Sequence, residues 1–263
     1  TSDVGLVRIV RKSIDARKGK VKVNIGVQVF SKHEKSEVDV PSFNYQKVSE
    51  KPEVLIVGAG PAGLFAALRL IELGYKPIVV ERDKCVSERK CDVAMLNRNV
   101  KLDEESNFAF GEGGAGTFSD GKLYTRSRKR GDIKRILNTL HLHGAQPEIL
   151  YEAHPHIGIN VLLRVISTIR KTIEHYGGEF YYNSRVVQLT VEKDAIVGIE
   201  LSDGRRISAR AVVLATGHSA RDVYQMLWKQ KITLEAKPFA MGVRVEHPQE
   251  LIDSIQYHGF PRD

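Results

Sequence analysis

Three glycines and one acid carry the strongest chemical signal in this chain. The glycines sit in Val54-Leu-Ile-Val-Gly58-Ala-Gly60-Pro61-Ala62-Gly63-Leu, and the run Ile78-Val-Val ends on Glu81-Arg82, with Glu81 23 residues after Gly58. The pattern reads as strand, glycine turn, helix and second strand ending in an acid, the unit that binds a dinucleotide. Gly58 permits the tight turn, Gly60 with Pro61 and Ala62 lets the backbone approach a pyrophosphate, and Gly63 lets the helix pack close to the strand. The pyrophosphate would sit on free N–H groups at the helix N-terminus, where the helix dipole favours negative charge. The Glu81 carboxylate can accept hydrogen bonds from ribose hydroxyls and would repel a 2′-phosphate, so FAD or NAD fits better than NADP.

A second glycine run, Gly111-Glu-Gly113-Gly114-Ala-Gly116-Thr117-Phe-Ser-Asp-Gly121-Lys, leaves backbone N–H groups unshielded and suits an anion-accepting concavity. In a flavin site such a loop can lie along the pyrophosphate, ribitol or ring, where N–H dipoles raise the potential. The plain alternative is a surface lid. Arg89, eight residues past Glu81, could reach the pyrophosphate or sit solvated. Leu214-Ala-Thr216-Gly217 reads as a strand end, and it separates FAD from NAD. FAD proteins of the glutathione-reductase type add a β-meander and an Ala-Thr-Gly strand end that cover the dinucleotide, and this chain resembles them. Val186, in the meander, joins the residues assigned to the cofactor. The cofactor expected is FAD.

Catalytic groups are harder to place. His154 and His156 flank Pro155, His218 follows the Ala-Thr-Gly turn, and His247 follows Glu246; each could donate a proton or anchor substrate. Arg244 could hold an anionic substrate. No histidine pair has metal-ligand spacing with a third ligand, so no metal is expected. Cys85 and Cys91 have five residues between them, against the closer spacing of disulfide-reducing flavoenzymes, and read as two unpaired thiols.

These residues need elements to carry them. Val21, Val23, Ile25, Val27 and Val29 alternate with polar residues as a strand with one buried face, and Ser13 to Gly19 before it reads as a turn or short helix. Residues 1–50 are therefore expected to be a small α+β domain and linker. The segment 51–236 is expected to be a three-layer α/β, Rossmann-like FAD-binding domain with a β-meander, and 237–263 the start of a further substrate domain. Arg82 to about Arg130 reads as a long loop region. Two helices follow, the second from about Asn160 to Tyr176 with Leu162, Val165, Ile166, Ile169 and Ile173 on one stripe. Short strands are expected from Phe180 to Leu201, with turns at Lys193-Asp194 and Asp203-Gly204. A helix is expected over Ala220–Lys229, and a strand over Phe239–Glu246.

Composition narrows the class. Hydrophobic content of 42% and charged content of 27% suit a globular domain. Val54 to Leu73 is the one stretch apolar enough to suggest a membrane span, but Pro61, Arg69 and Glu72 interrupt it. No secretory leader is apparent, and a soluble protein of the cytoplasm or an organelle matrix is expected. The net charge of +8 owes much to Arg126-Ser-Arg-Lys-Arg130 with Lys134 and Arg135. Without interleaved aromatics that run reads as a solvated loop rather than a nucleic-acid patch.

Several blocks together resemble the family of uncharacterised FAD-dependent dehydrogenases. They are the Gly111–Leu123 run, Ser13-Ile-Asp-Ala-Arg-Lys18, His154-Pro-His-Ile-Gly158, Ala215-Thr-Gly-His-Ser-Ala-Arg-Asp222 and Lys237-Pro-Phe-Ala-Met-Gly-Val-Arg-Val-Glu-His-Pro-Gln249. The chain departs from the family at Ile159-Asn160, where Thr-Asp is usual. The resemblance implies hydride transfer from an unknown small-molecule substrate to flavin N5 and reoxidation by an unknown acceptor. A flavoprotein acting on RNA and a non-catalytic FAD-binding module are the alternatives. Such flavoproteins usually carry a late Gly-Asp segment at the ribitol, and none follows Gly217 here. The chain is therefore expected to be a fragment of a protein about twice as long.

Overall fold

The computed structural model describes residues 4–17, 21–33, 41–98, 101–119, 121–125, 131–239, 241–243 and 245–257. In chain order they form a hairpin, β1 (Val4–Asp15) and β2 (Lys22–Ser31), then β3 (Glu53–Val57), α1 (Pro61–Glu72) and β4 (Lys76–Val80). Helices α2 (Val86–Asn97), α3 (Ile133–Leu142) and α4 (Ile159–His175) precede β5 (Glu179–Tyr181). A meander follows, β6 (Val186–Glu192), β7 (Ala195–Leu201) and β8 (Arg206–Ser208), and then β9 (Val212–Leu214), α5 (Arg221–Lys229) and α6 (Gln249–Tyr257).

The central sheet is parallel, in the order β5-β4-β3-β9. Its two central strands are apolar and buried over 54–57 and 77–80 because both faces are covered there. Ile56 and Val79 point to one face, where they meet Leu64, Ala67, Leu68 and Ile71 of α1 and Val165, Ile166, Ile169 and Ile173 of α4. Leu55, Val57, Ile78 and Val80 point to the other, against Val186, Leu189, Ile199 and Leu201 of the meander and Val223, Met226 and Leu227 of α5. This is the three-layer arrangement expected, with helices on one side and meander plus α5 on the other. Each of the buried Val, Leu, Ile and Met side chains among these contributes about 1.5–3 kcal/mol of transfer free energy. Lys193 and Asp194 both take positive φ, 49° and 64°, which matches a tight turn to the right-handed twist of β6 and β7.

Three expectations are corrected. The stretch after Arg82 is not loop alone, because it contains α2. That helix buries Val86, Arg89, Asp92 and Val93, and two charged residues on the inward face erase the apolar stripe that would announce it. The first unit holds, among its described residues, two strands and no helix. Ser13 to Asp15 continue β1, and Val23, Ile25, Val27 and Val29 are 49–54% exposed rather than buried, whereas Phe30 is buried. The hairpin is tied down by its edge: the Lys12 N–H donates to the Tyr151 carbonyl at 2.8 Å and the Ala153 N–H to the Lys12 carbonyl at 2.9 Å. The described residues of Phe239–Glu246 form no strand; Phe239, Met241 and Val243 are largely exposed and α6 follows.

Within the stretch read as a linker, Tyr45 and Val48 pack into the helical face of the core, and Val48 is fully buried. The basic run Arg126–Arg130 lies outside the described residues. Among the described residues, no helix is long and apolar enough to cross a membrane.

Candidate cofactor site

The turn between β3 and α1 is built by close backbone contacts. Gly58 has φ 107°, its N–H donates to the Val80 carbonyl at 2.8 Å, and a Cβ there would lie 2.5 Å from the Ala215 carbonyl oxygen. Only glycine suits both the dihedral and the space. A Cβ on Gly63 would fall on the Gly58 carbonyl oxygen, so this glycine serves helix–strand packing and does not line the cavity. Gly60 stands at the helix N-cap in extended conformation, Pro61 occupies the first turn, and no side chain caps the helix. The N-terminal end of α1 is thereby left open to an anion.

Glu81 closes the other side of the turn. It is 5% exposed, its Oε2 accepts the Ala59 N–H at 2.7 Å, and its Oε1 accepts the Asp83 N–H at 3.2 Å. These bonds orient a carboxylate at the wall of a cavity of about 350 Å³. Arg82 beside it is held by Asp222 at 2.5 Å and Glu105 at 3.6 Å, with its guanidinium 4.4 Å from the Phe110 ring centre.

Five chain segments meet at this cavity. The first is the turn, with Gly58, Gly60, Pro61 and Ala62, and the second is Glu81 with Arg82. The glycine loop adds Gly111, Gly114 and Ala115; the meander entrance adds Ser184 and Val186; and the end of β9 adds Thr216, Gly217 and His218. Sequence reasoning missed Phe110, Ser184 and Ser219, which also line it. Ser219 follows His218 in the Ala215–Asp222 block, whereas Phe110 and Ser184 carry no motif and enter only because the chain folds back there.

The glycine loop is a wall rather than a free lid. The Gly113 N–H donates to the Ala59 carbonyl at 2.8 Å, and a Cβ on Gly114 would lie 2.8 Å from Pro61 Cδ, so loop and fingerprint turn are in contact. Gly113 and Thr117 work behind the wall: Thr117 is fully buried, and its hydroxyl donates to the Gly114 carbonyl at 2.9 Å. Gly116 is likewise off the cavity.

Arg89 is corrected most sharply. It is neither solvated nor at the cavity but fully buried beneath the loop, its donors spent on backbone carbonyls and its Nε 3.5 Å from Asp83 Oδ2. Burial pulls its pKa down and pushes the Asp83 carboxyl up to about 6. Glu112, also fully buried, is pushed up by the same cause although it accepts from the Val86 N–H, Arg170 and Tyr182 at 2.6, 2.9 and 2.8 Å.

Of the described histidines, only His218 reaches the cavity wall. His154 faces Tyr124 with ring centres 4.5 Å apart, and the backbone of His156 bridges to Lys122; neither lines the cavity. Arg244 lies outside the described residues. Cys85 and Cys91 are free thiols away from the cavity, and no described residues form a metal-binding group.

Comparison with known proteins places this geometry. A family model described as pyridine nucleotide-disulphide oxidoreductase matches residues 52–226. A model of a domain of unknown function matches 1–30, and one described as FAD-dependent protein, C-terminal domain-like, matches 238–263. An uncharacterised protein of Clostridium beijerinckii is 41% identical over 278 residues, covering 99% of this chain and 52% of that protein. The chain thus spans about half the length of its curated relative. Among solved structures, Thermovibrio ammonificans THI4 is 19% identical with a TM-score of 0.47, covering 70% of this chain and 64% of that one. The open conformation of a flavocytochrome c3 fumarate reductase is 24% identical with a TM-score of 0.42, covering 70% and 36%. The cofactor is FAD, and the residues present fit it: an uncapped helix end for the pyrophosphate, an oriented carboxylate for ribose hydroxyls, and a cradle at Gly58 and Gly60 without side chains.

Proposed function

The chain belongs to the pyridine nucleotide-disulphide oxidoreductase family, and on that premise we propose that the whole protein is a soluble FAD-dependent dehydrogenase acting on a small-molecule substrate. FAD-dependent oxidoreduction is the class; hydride transfer is the finer reading. FAD, held by Gly58, Gly60, Pro61 and Glu81, would supply two-electron chemistry there, hydride transfer from the substrate to flavin N5 and reoxidation by a separate acceptor.

The chain's own residues do the rest. The open end of α1 holds the pyrophosphate, and Glu81 accepts from the ribose. The Gly111–Ala115 wall excludes water from one side. His218 can hold a proton at a ring nitrogen on the cavity wall. The observation that carries the reading is the convergence of Gly60, Glu81, Gly114 and Thr216 on one cavity, while the two thiols stand outside it. That placement favours direct dehydrogenation over dithiol exchange.

The test is the absorption spectrum of the purified full-length protein, followed anaerobically with a panel of hydride donors. Flavin bands that bleach with a donor and return with an acceptor are expected. Stoichiometric flavin that no donor reduces would leave a non-catalytic FAD module, and the absence of flavin would end the reading.

A further inference from the structure

Arg89 is the largest fully buried side chain among the described residues, and it does not line the cavity. Its Nη1 donates to the Glu112 and Gly114 carbonyls, both at 3.0 Å; its Nη2 donates to Asn107 at 2.8 Å and Phe108 at 3.3 Å, and its Nε to Asn107 at 3.1 Å. Asp83 Oδ2, 3.5 Å from Nε, supplies countercharge and has no hydrogen-bond partner of its own. A planar fork with five donors suits several carbonyls at once, and an ammonium does not reproduce it.

The acceptors decide what this grip does. No described peptide bond is cis, and in a trans peptide the C=O and N–H point in opposite directions. Drawing the Gly114 carbonyl down onto the guanidinium therefore turns the Ala115 N–H away from it, toward the side on which Gly114 and Ala115 line the cavity. Gly114 packs against Gly60 and Pro61, so this N–H is presented next to the open end of α1.

We propose that Arg89 is a positioning residue for the cofactor pyrophosphate, acting through the Gly114–Ala115 peptide rather than by contact. The proposal rests on the FAD reading above. It assigns the positive charge to the inside of the wall and leaves a neutral N–H donor on the outside. The loop's glycines are then not slack, because their carbonyls are tied from beneath.

Two substitutions separate this from a merely structural role. Arg89→Lys keeps the charge and loses the fork. Ala115→Pro deletes the N–H itself at an exposed position, without touching Arg89. Ile169→Val in α4 serves as a packing control. FAD dissociation constants by flavin fluorescence, and melting temperatures, are measured on the full-length protein. The expected result is FAD binding weakened about tenfold or more in both Arg89→Lys and Ala115→Pro, as for loss of a hydrogen bond to a charged group. Ile169→Val should lower the melting temperature and leave the constant unchanged. Weak binding by Arg89→Lys with wild-type binding by Ala115→Pro would mean direct contact and overturn the proposal, as would an unchanged constant in Arg89→Lys. If Arg89→Lys does not fold, wild-type binding by Ala115→Pro alone overturns it. Failure of the wild-type protein to bind FAD would instead remove the reading on which it rests.

Discussion

Glu81 Oε2 accepts the backbone N–H of Ala59 at 2.7 Å across the fingerprint turn. The bond joins the end of β4 to the loop leaving β3, so the acid proposed for the ribose also holds the turn proposed for the pyrophosphate. One residue thus links two parts of the cofactor site that are 22 positions apart in sequence.

Glu81→Ala should therefore act twice, removing an acceptor from the cofactor and a brace from the turn. A charge-assisted hydrogen bond is worth about 1.5–3 kcal/mol, so FAD affinity should fall about 10- to 100-fold. Titration of the apo full-length protein measures it, and an unchanged dissociation constant would place the carboxylate elsewhere.

Gly60→Val tests the cradle. A Cβ on Gly60 meets only the Gly114 Cα, at 3.8 Å, so the fold has room for the first carbon. The branched side chain then occupies the space left for phosphate oxygens. Folded apo protein is expected, with a wild-type-like circular dichroism spectrum and no bound flavin; stoichiometric FAD in the purified variant would contradict the assignment.

Asp83 gives a pH dependence with a definite sign. Burial raises its pKa from 3.8 to about 6, so the folded state binds a proton that the unfolded state has lost. Between these values stability falls as pH rises, and above about 6 the contribution is level. A shift of this size corresponds to roughly 3 kcal/mol. Asp83→Asn removes the ionisation, so its stability relative to wild type should rise by up to that amount from pH 4 to 6.5. Denaturant unfolding at the two values reads it, and a difference independent of pH would show Asp83 paired and charged throughout.

Ile173 tests packing apart from binding. It is fully buried between α4 and the sheet, on the face away from the meander. Ile173→Ala should cost about 2–5 kcal/mol of stability. FAD affinity of the folded fraction should stay within about twofold, because Ile173 does not itself line the cavity.

His218→Asn removes the one histidine among the described residues on the cavity wall and keeps its polarity. FAD binding should be unaffected, while the rate of flavin reduction by a hydride donor should fall about tenfold or more, as for loss of a general acid or base. Stopped-flow reduction of both proteins decides it; equal rates would assign the proton to another group.

The sequence by itself determined the strand–turn–helix–strand unit, Glu81 and the Ala-Thr-Gly strand end, because each acts within a few residues of its neighbours and its spacing is set by local geometry. Gly58 needs its dihedral and Glu81 its place at a strand end wherever the rest of the chain lies. Tertiary structure alone decided Arg89. On a helix, a charged residue reads as solvent-facing, and only the loop carbonyls laid over α2 make burial the lower free energy. The same holds for Phe110 and Ser184, brought to the cavity by distant segments, and for the alternating Val23–Val29 strand. Alternation records which side chains share a face, but whether that face meets a core depends on what packs against it, and among the described residues the hairpin is anchored by its edge instead.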